Sequence, residues 1–560
     1  MSEVALFDVE PGMSPERVKA PVAKTFRRFE PDQVLLLPPS LDEWLPADHL
    51  ARFVAELVDG VLDLSGIYAD YTEARGYPPY EPRVMVRLLV YGYTTGVRSS
   101  RAIERRCADD VAFRYLAAGQ GPDFRSIAKF RRRHLDALAG LFVQTLQLAT
   151  QMGLVRMGRV ALDGTKLRAN ASKHKAMSYQ RLVEREATVA AEVDRLRELT
   201  DGMLADAEAA DAAEDARFGA DGREADLPGE LARREVRLAK MRAAKQALEA
   251  EAAERARAHA EASERDRQAR DADDGDDDPG GGGGAAAVDE AAVVAAGERA
   301  AARATPKPTA QRNFTDPDAH IMKNADGAFI EAYNGQAVVD EAAQIIVAAD
   351  VTTCASDCPS LTPMLDQAQH NTGVAPGQAL VDAGYCSEGN LAAAGDRLAE
   401  HGTEVLMATG RLKHGDVPAT PRGRIPTNAT RRQRMARKLR TKPGRAAYAR
   451  RKAIAEPVFG QIATCQDGKR LLLRGLAGAR GEWLLTCAGH NLRKLFTHGG
   501  LDTELTPIAV SRPLSETSNR PSASTPHRRH LRTRRGVLYG QPDDRSRRRT
   551  GASNLTGTYS

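Results

Sequence analysis

The chain has 560 residues, 42% of them hydrophobic but only 5% aromatic, and a formal net charge of +5. That length exceeds one ordinary core and predicts two to four domains, while abundant Ala with few aromatics predicts long helices and disordered stretches around a smaller packed centre. The six cysteines (Cys107, Cys354, Cys358, Cys386, Cys465, Cys487) contain no CxxC pair. This argues against zinc and suits a reducing cytoplasm. The first residues, MSEVALFDVEPGM, lack a basic region and an apolar core, and no run approaches the roughly 18 apolar residues of a membrane span. The expectation is a cytoplasmic protein without a membrane segment.

Residues 1–40 are Pro-rich and read as an irregular arm. Residues 41–152 read as helical. LDEWLPADHLARFVAELVDGVL and YEPRVMVRLLVYGYTTG have amphipathic periods. Ser99 and Ser100 are placed to cap RAIERRC, and Asp109 and Asp110 to cap VAFRYLA. Ser126 precedes one longer helix beginning IAKFRRRH, with Lys129, Arg131, Arg132, Arg133 and His134 on it. Short helices with Arg-rich faces fit a helix-turn-helix type DNA-binding module; a solvated bundle fits equally well.

GRVALDGTKL predicts a strand ending in an Asp-Gly turn. Residues 178–270 predict a helical, coiled-coil-like insertion, with Leu231 and Leu238, then Met241 and Leu248, each seven apart. The acidic and Gly-rich stretch 271–310 reads as a disordered linker. FIEAYNGQAVVD, QIIVAADVTT, ALVDAG and TEVLMAT then read as strands, with SLTPMLDQAQHN as a helix. Residues 153–177 and 311–498 together form one α/β unit, a mixed sheet interrupted after its first strand. Residues 411–452 carry fifteen Lys/Arg against one acid, Asp416. Two helices follow, RAAYARRKAIAEPVFGQIATC and GEWLLTCAGHNLRKLF, before a disordered basic tail at 499–560.

Asp163 and Asp382 each follow a strand, and Glu456 lies on a late helix. Acids at the carboxyl ends of adjacent strands point into the crevice where ligands bind in such sheets. Carboxylate oxygens suit hard cations, and a pair of such cations can activate an attacking oxygen while stabilising a leaving one. Each acid alone reads equally as a turn or surface residue. Their order along the chain, together with the flanking segments, carries the weight.

The segments LDGTKLRANASKHKAMSY, NFTDPDAHIMKNADGAFIEAYNGQAVVD, ALVDAGYCSEGNL, RRKAIAEPVFGQI and LLLRGLAGARGEWLLTCAGHNLRKLF resemble bacterial insertion-sequence transposases of the DDE class. The resemblance covers roughly residues 35–496. It implies an RNase-H-like catalytic core behind a helical N-terminal domain, with Asp163, Asp382 and Glu456 as the catalytic, metal-binding triad and Mg²⁺ as cofactor, Mn²⁺ able to substitute. It also implies double-stranded DNA as partner (element ends and target) and a homodimer in the DNA complex. Near the family's glutamate stand a Tyr, a basic residue and a downstream Lys. Here Tyr448, Arg451 or Lys452, and Glu456 match, and Tyr448, Lys452 and Glu456 share one helix face. The downstream Lys is absent, Ala463 standing in that region, and Pro457 predicts a kink beside Glu456.

The DNA contacts expected are Tyr448, Arg451, Lys452, Lys166, Arg131, Arg132 and Arg133, with the basic stretch 411–452 as a backbone clamp. Asp316 and Asp318 read first as capping residues, and Asp350 ranks behind the triad. Lys166 and Asn170 fit DNA contact or structure equally. Two other functions remain open: an RNase-H-like nuclease without strand transfer, and a DNA-binding transposase remnant without catalysis.

Overall fold

The computed structural model describes Phe26, Arg28, residues 40–499 except 74–75, 215–226, 274–287, 325 and 411–418, and residues 506–507. Nearly all of the arm, residues 274–287 of the acidic and Gly-rich stretch, and nearly all of the basic tail lie outside the described residues.

Among the described residues eight helices come first: α1 (Leu41–Trp44), α2 (Leu50–Gly60), α3 (Ser65–Ala69), α4 (Pro82–Thr95), α5 (Ser100–Asp109), α6 (Val111–Leu116), α7 (Phe124–Arg133) and α8 (Leu135–Gln151). Asp110 caps α6, its carboxylate accepting from the N–H groups of Ala112 and Phe113. The single long helix expected from Ser126 is two helices. Asp123, not Ser126, caps α7, and His134, at φ −107° and ψ 27°, breaks the chain before α8. The break is held by the His134 ring, whose Nδ1 lies 3.0 Å from Asp70 Oδ2.

The sheet comprises β1 (Arg159–Arg168), β4 (His320–Lys323), β5 (Phe329–Asp340), β6 (Ile346–Thr352), β7 (Gln378–Val381) and β8 (Glu404–Met407); β2 (Ala176–Ser178) and β3 (Gln311–Asn313) form a separate ribbon. Across the sheet the order is β5-β1-β7-β8, with β4 and β6 sharing the outer side of β5. β1 runs antiparallel to β5 and parallel to β7, and β7 runs parallel to β8. The mixed α/β expectation holds, and so do all four strands and the helix read between residues 329 and 407. One detail differs. β1 does not turn at Asp163-Gly164 but continues to Arg168, pairing Gly164 with Gln336. The Asp-Gly signal is overridden because Gly164 fits a crowded place in the sheet, where a Cβ would stand 2.4 Å from Gln336 Nε2.

Helices α12 (Leu361–Thr372), α13 (Glu388–His401), α14 (Arg431–Arg440), α15 (Lys442–Cys465) and α16 (Leu476–His498) complete this unit, and the insertion supplies α9 (Tyr179–Glu214), α10 (Leu227–Asp273) and α11 (Glu290–Arg303). α16 is apolar around most of its circumference because it is buried from several sides, against β6, α4 and α8. Its Trp483 is fully buried and donates Nε1–H to Gln336 O at 3.0 Å. Burial of such a side chain contributes about 1.5–3 kcal/mol.

One hydrophobic cluster runs from Phe53, Leu88 and Leu146 in the N-terminal helices to Val160, Val338 and Leu365 in the sheet unit. Deep in this junction, Arg98 Nη1 lies 3.1 Å from Glu482 Oε1, with both side chains almost fully inaccessible. The N-terminal helices therefore share a core with the sheet.

The insertion is an antiparallel pair, α9 on α10, closed by Leu182, Val189 and Val193 against Leu238, Met241 and Leu248. The Leu231 side chain lies outside the described residues. α11 packs on α10, so residues 290–303 within the expected linker are helical. Among the described residues no helix is long and apolar enough to cross a membrane.

Candidate active site

Leu162 pairs with Val381 in the parallel β1–β7 ladder, so Asp163 and Asp382 are the next residues of adjacent strands, in register. Chain direction alone brings these two carboxylates together. Asp382 turns out of β7 and caps a short 3-10 helix, its Oδ1 accepting from Gly384 N–H at 2.8 Å. Asp163 Oδ1 accepts from Gly164 N–H at 3.0 Å, and its Oδ2 lies 3.0 Å from Arg451 Nη1. Burial pushes the Asp163 carboxyl up to about 6 against the pull of Arg451, with repulsion from Asp382 adding to the rise.

Helix α15 lies over this edge. Tyr448 donates its hydroxyl to Val381 O at 3.1 Å, and Arg451, one turn on, reaches Asp163. Both expected DNA-contacting side chains are therefore turned toward the carboxylates. Lys452 and Glu456 are exposed on the same helix. Glu456 is five residues beyond Arg451, which turns it about 140° around the helix axis. Among the described residues it makes no hydrogen bond or ion pair, and no three His, Cys, Asp or Glu side chains there are grouped to hold a metal ion.

A further acid, Asp357 in the loop after β6, completes the polar cluster and was not singled out from the sequence. A Cβ on Gly164 would stand 2.7 Å from Asp357 Oδ1, and one on Gly384 would stand 3.2 Å from Asp357 Oδ2 and 3.0 Å from Asp382 Oδ1. Asp357 Oδ1 receives Asn334 Nδ2 at 2.7 Å, Gln336 Nε2 at 2.9 Å and Lys166 Nζ at 3.2 Å. Tyr385 donates its hydroxyl to Gln336 Oε1. The signal for this cluster was present in FIEAYNGQAVVD, where Asn334 and Gln336 place two amides in the buried middle of the strand. Buried amides require partners.

The remaining expected residues separate clearly. Lys166 faces Asp357. Arg131 is buried and donates to Tyr93 Oη at 3.2 Å and Arg98 O at 3.0 Å, so it braces the helices; this corrects its assignment to a DNA-facing surface. Arg133 lies over the Tyr71 ring and donates to Asp70 O, and both it and Arg132 are exposed. Asn170 donates to Leu472 O. Asp316 is buried beneath Tyr333 and Gly475, and Asp318 accepts from Leu476 N–H at the start of α16; both are structural. Asp350 pairs with Arg480.

Residues 39–133 match the family model described as a transposase domain (DUF772), and residues 421–496 match the transposase DDE domain. The second match contains α15, which covers the Asp163–Asp382 edge, and most of α16. Both matches are to transposase domains, and together they support an insertion-sequence DDE transposase. The two matches together span about three tenths of the chain. No curated protein and no solved structure matches it. Transposase domains indicate transposition as the process and DNA as the partner class, and the DDE domain implies a nuclease and transposition enzyme of a family that generally uses divalent metal ions.

Proposed function

We propose that the protein binds the terminal inverted repeats of its own insertion sequence, hydrolyses a phosphodiester at each end and joins the freed 3′-hydroxyl to target DNA. The observation that carries this reading is the parallel register that makes Asp163 and Asp382 neighbours. An RNase-H-like assignment of the sheet and a paired, homodimeric DNA complex belong to the same reading.

Asp163 and Asp382 fit a hard divalent cation such as Mg²⁺ or Mn²⁺, being carboxylate oxygen donors at neighbouring strand positions. Such an ion, when bound, would activate the attacking oxygen and stabilise the leaving one. The chain's own residues do the rest. Arg451 offsets charge at Asp163, Tyr448 fixes α15 to the end of β7, and Lys166 balances Asp357. Glu456 is the third acid by family pattern; Asp357 is the acid that touches the same edge.

The exposure of Glu456, together with Ala463, favours a second reading, a DNA-binding remnant without cleavage. A nicking assay on a duplex carrying the element's end, with Mg²⁺ or Mn²⁺, decides between them. Asp163→Asn and Asp382→Asn are each expected to reduce cleavage by at least about 10³-fold, about 4 kcal/mol of barrier. Parallel Glu456→Gln and Asp357→Asn variants identify the third acid. Undiminished nicking by either of the first two variants ends the carboxylate-pair assignment, and absence of nicking by the native protein supports the remnant. Transfer of a pre-cut end into a target plasmid separates the transposase from a plain nuclease.

A further inference from the structure

Where the β2–β3 ribbon meets α9 and α10 lies an open cavity of about 550 Å³, lined by Lys175, Arg181, Arg185, Arg233, Arg237 and Lys240 and by no carboxylate. The spacing explains the alignment. Arg181 and Arg185 are one turn apart on α9, and Arg233, Arg237 and Lys240 follow at intervals of four and three on α10, so each helix presents one basic stripe. Antiparallel packing sets the stripes across the groove from each other.

The acids of the pair are engaged elsewhere. Glu186 holds Lys245 and Arg242, Glu192 holds Arg234, and Glu235 holds Arg197. Arg181, Arg185, Arg237 and Lys240 make no ion pair among the described residues. Like charges gathered in one concavity repel each other, and a polyanion laid along it would relieve that repulsion.

The groove also has a direction. Lys175 lines both this cavity and a neighbouring one of about 700 Å³ that includes Arg168, Lys173, Arg470 and Arg474. Arg168 ends β1, the strand that carries Asp163. A basic track therefore leads from the strand of the carboxylate pair to the base of the insertion.

We propose that the base of the insertion is a binding site for the sugar-phosphate backbone of duplex DNA, holding the stretch of element end that runs on from the cleavage point. This proposal rests on the reading of the chain as an acting transposase. The occupant is a polyanionic backbone because the lining offers cations from two helices along an open groove, with Phe314 its only aromatic residue. Phosphate contacts of this kind fix register without reading sequence.

The test uses the full-length protein and fluorescence anisotropy with a labelled element-end duplex and an unrelated duplex, between 50 and 200 mM salt. Arg185→Gln/Arg237→Gln/Lys240→Gln is expected to weaken binding to both duplexes about 10-fold or more and to reduce the salt slope by about 2–3, since each lost phosphate contact removes roughly 0.9. The double variant Arg185→Lys/Arg237→Lys, which keeps three cations with native Lys240, keeps the slope. Arg197→Gln/Arg242→Gln/Lys245→Gln removes equal charge from the ion-paired faces and keeps it too. A native slope in the first variant, in a protein that binds DNA steeply, overturns the groove and leaves the transposase reading standing. Equal loss in the Lys or ion-paired variants also overturns it. Failure of the native protein to bind either duplex overturns both.

Discussion

Arg451 Nη1 lies 3.0 Å from Asp163 Oδ2, joining the helix of the second family match to the central strand of the sheet. Both side chains are largely buried, so removing the guanidinium leaves a carboxylate short of its counter-charge. Arg451→Ala is expected to lower unfolding stability by about 1–2 kcal/mol, the range of a charged hydrogen bond in a partly wet site. Arg451→Lys should recover part of this. Urea titrations at pH 8 measure both, and equal stability of Arg451→Ala and native protein would show that the pair contributes only to chemistry.

The Arg98–Glu482 pair carries a larger expected effect. Glu482 also accepts the N–H groups of Leu472 and Leu473, at 2.7 and 2.9 Å, so its charge is well held once Arg98 is present. Arg98→Met should destabilise by about 3–5 kcal/mol, because it strands a buried carboxylate. Adding Glu482→Gln should restore part of the loss. A double-mutant cycle in which the two losses simply add would contradict the coupling.

Gly164 tests the crowding around Asp357. Its φ is not in the left-handed region, so alanine is acceptable to the backbone, and any cost must be steric. Gly164→Ala is expected to cost about 1–3 kcal/mol, as overpacking does, and to depress cleavage by moving Gln336 and Asp357. Native stability together with native cleavage would refute the contact geometry.

His490 gives the protein an acid limit. Its Nε2 lies 2.9 Å from Gln344 O, while Nδ1 is buried without a hydrogen-bond partner. Burial lowers its pKa from 6.5 to about 4, and the nearby Lys494 and Arg493 charges push the same way. The unfolded chain therefore binds a proton at this site through the window from about 6.5 down to 4, while the folded chain does not. Stability at this site is complete above 6.5 and is lost as pH falls, by about 3 kcal/mol across the window at about 1.4 kcal/mol per pH unit. Unfolding free energies at pH 7 and pH 4.5 should differ less in His490→Asn than in the native protein. An identical pH dependence in the two would remove His490 from the account.

The sheet was largely legible because its strands are apolar runs closed by turn residues, and β5, β6, β7 and β8 lie where that pattern put them. The aspartate pair was legible for a related reason: both acids occur at abrupt changes from apolar to polar sequence. What escaped were relations set by tertiary packing. The Asp163-Gly164 turn signal lost to a strand that needed a glycine for clearance. Arg131 looked like a surface cation because helical periodicity does not say which neighbour will cover a face. Asp357 was not singled out in the sequence, and the inward amides of Asn334 and Gln336 are what betray it. Glu456 matched by pattern, yet the helix turns its side chain outward.

The β2–β3 ribbon brings the two ends of the insertion side by side, with Ala176 opposite Asn313 and Phe314 N–H donating to Lys175 O. Whatever lies beyond that neck imposes no separation on the chain that enters and leaves the sheet. Loop closure across so narrow a gap is entropically cheap at almost any length. The insertion can thus lengthen or shrink while β1 and β5 keep their partners.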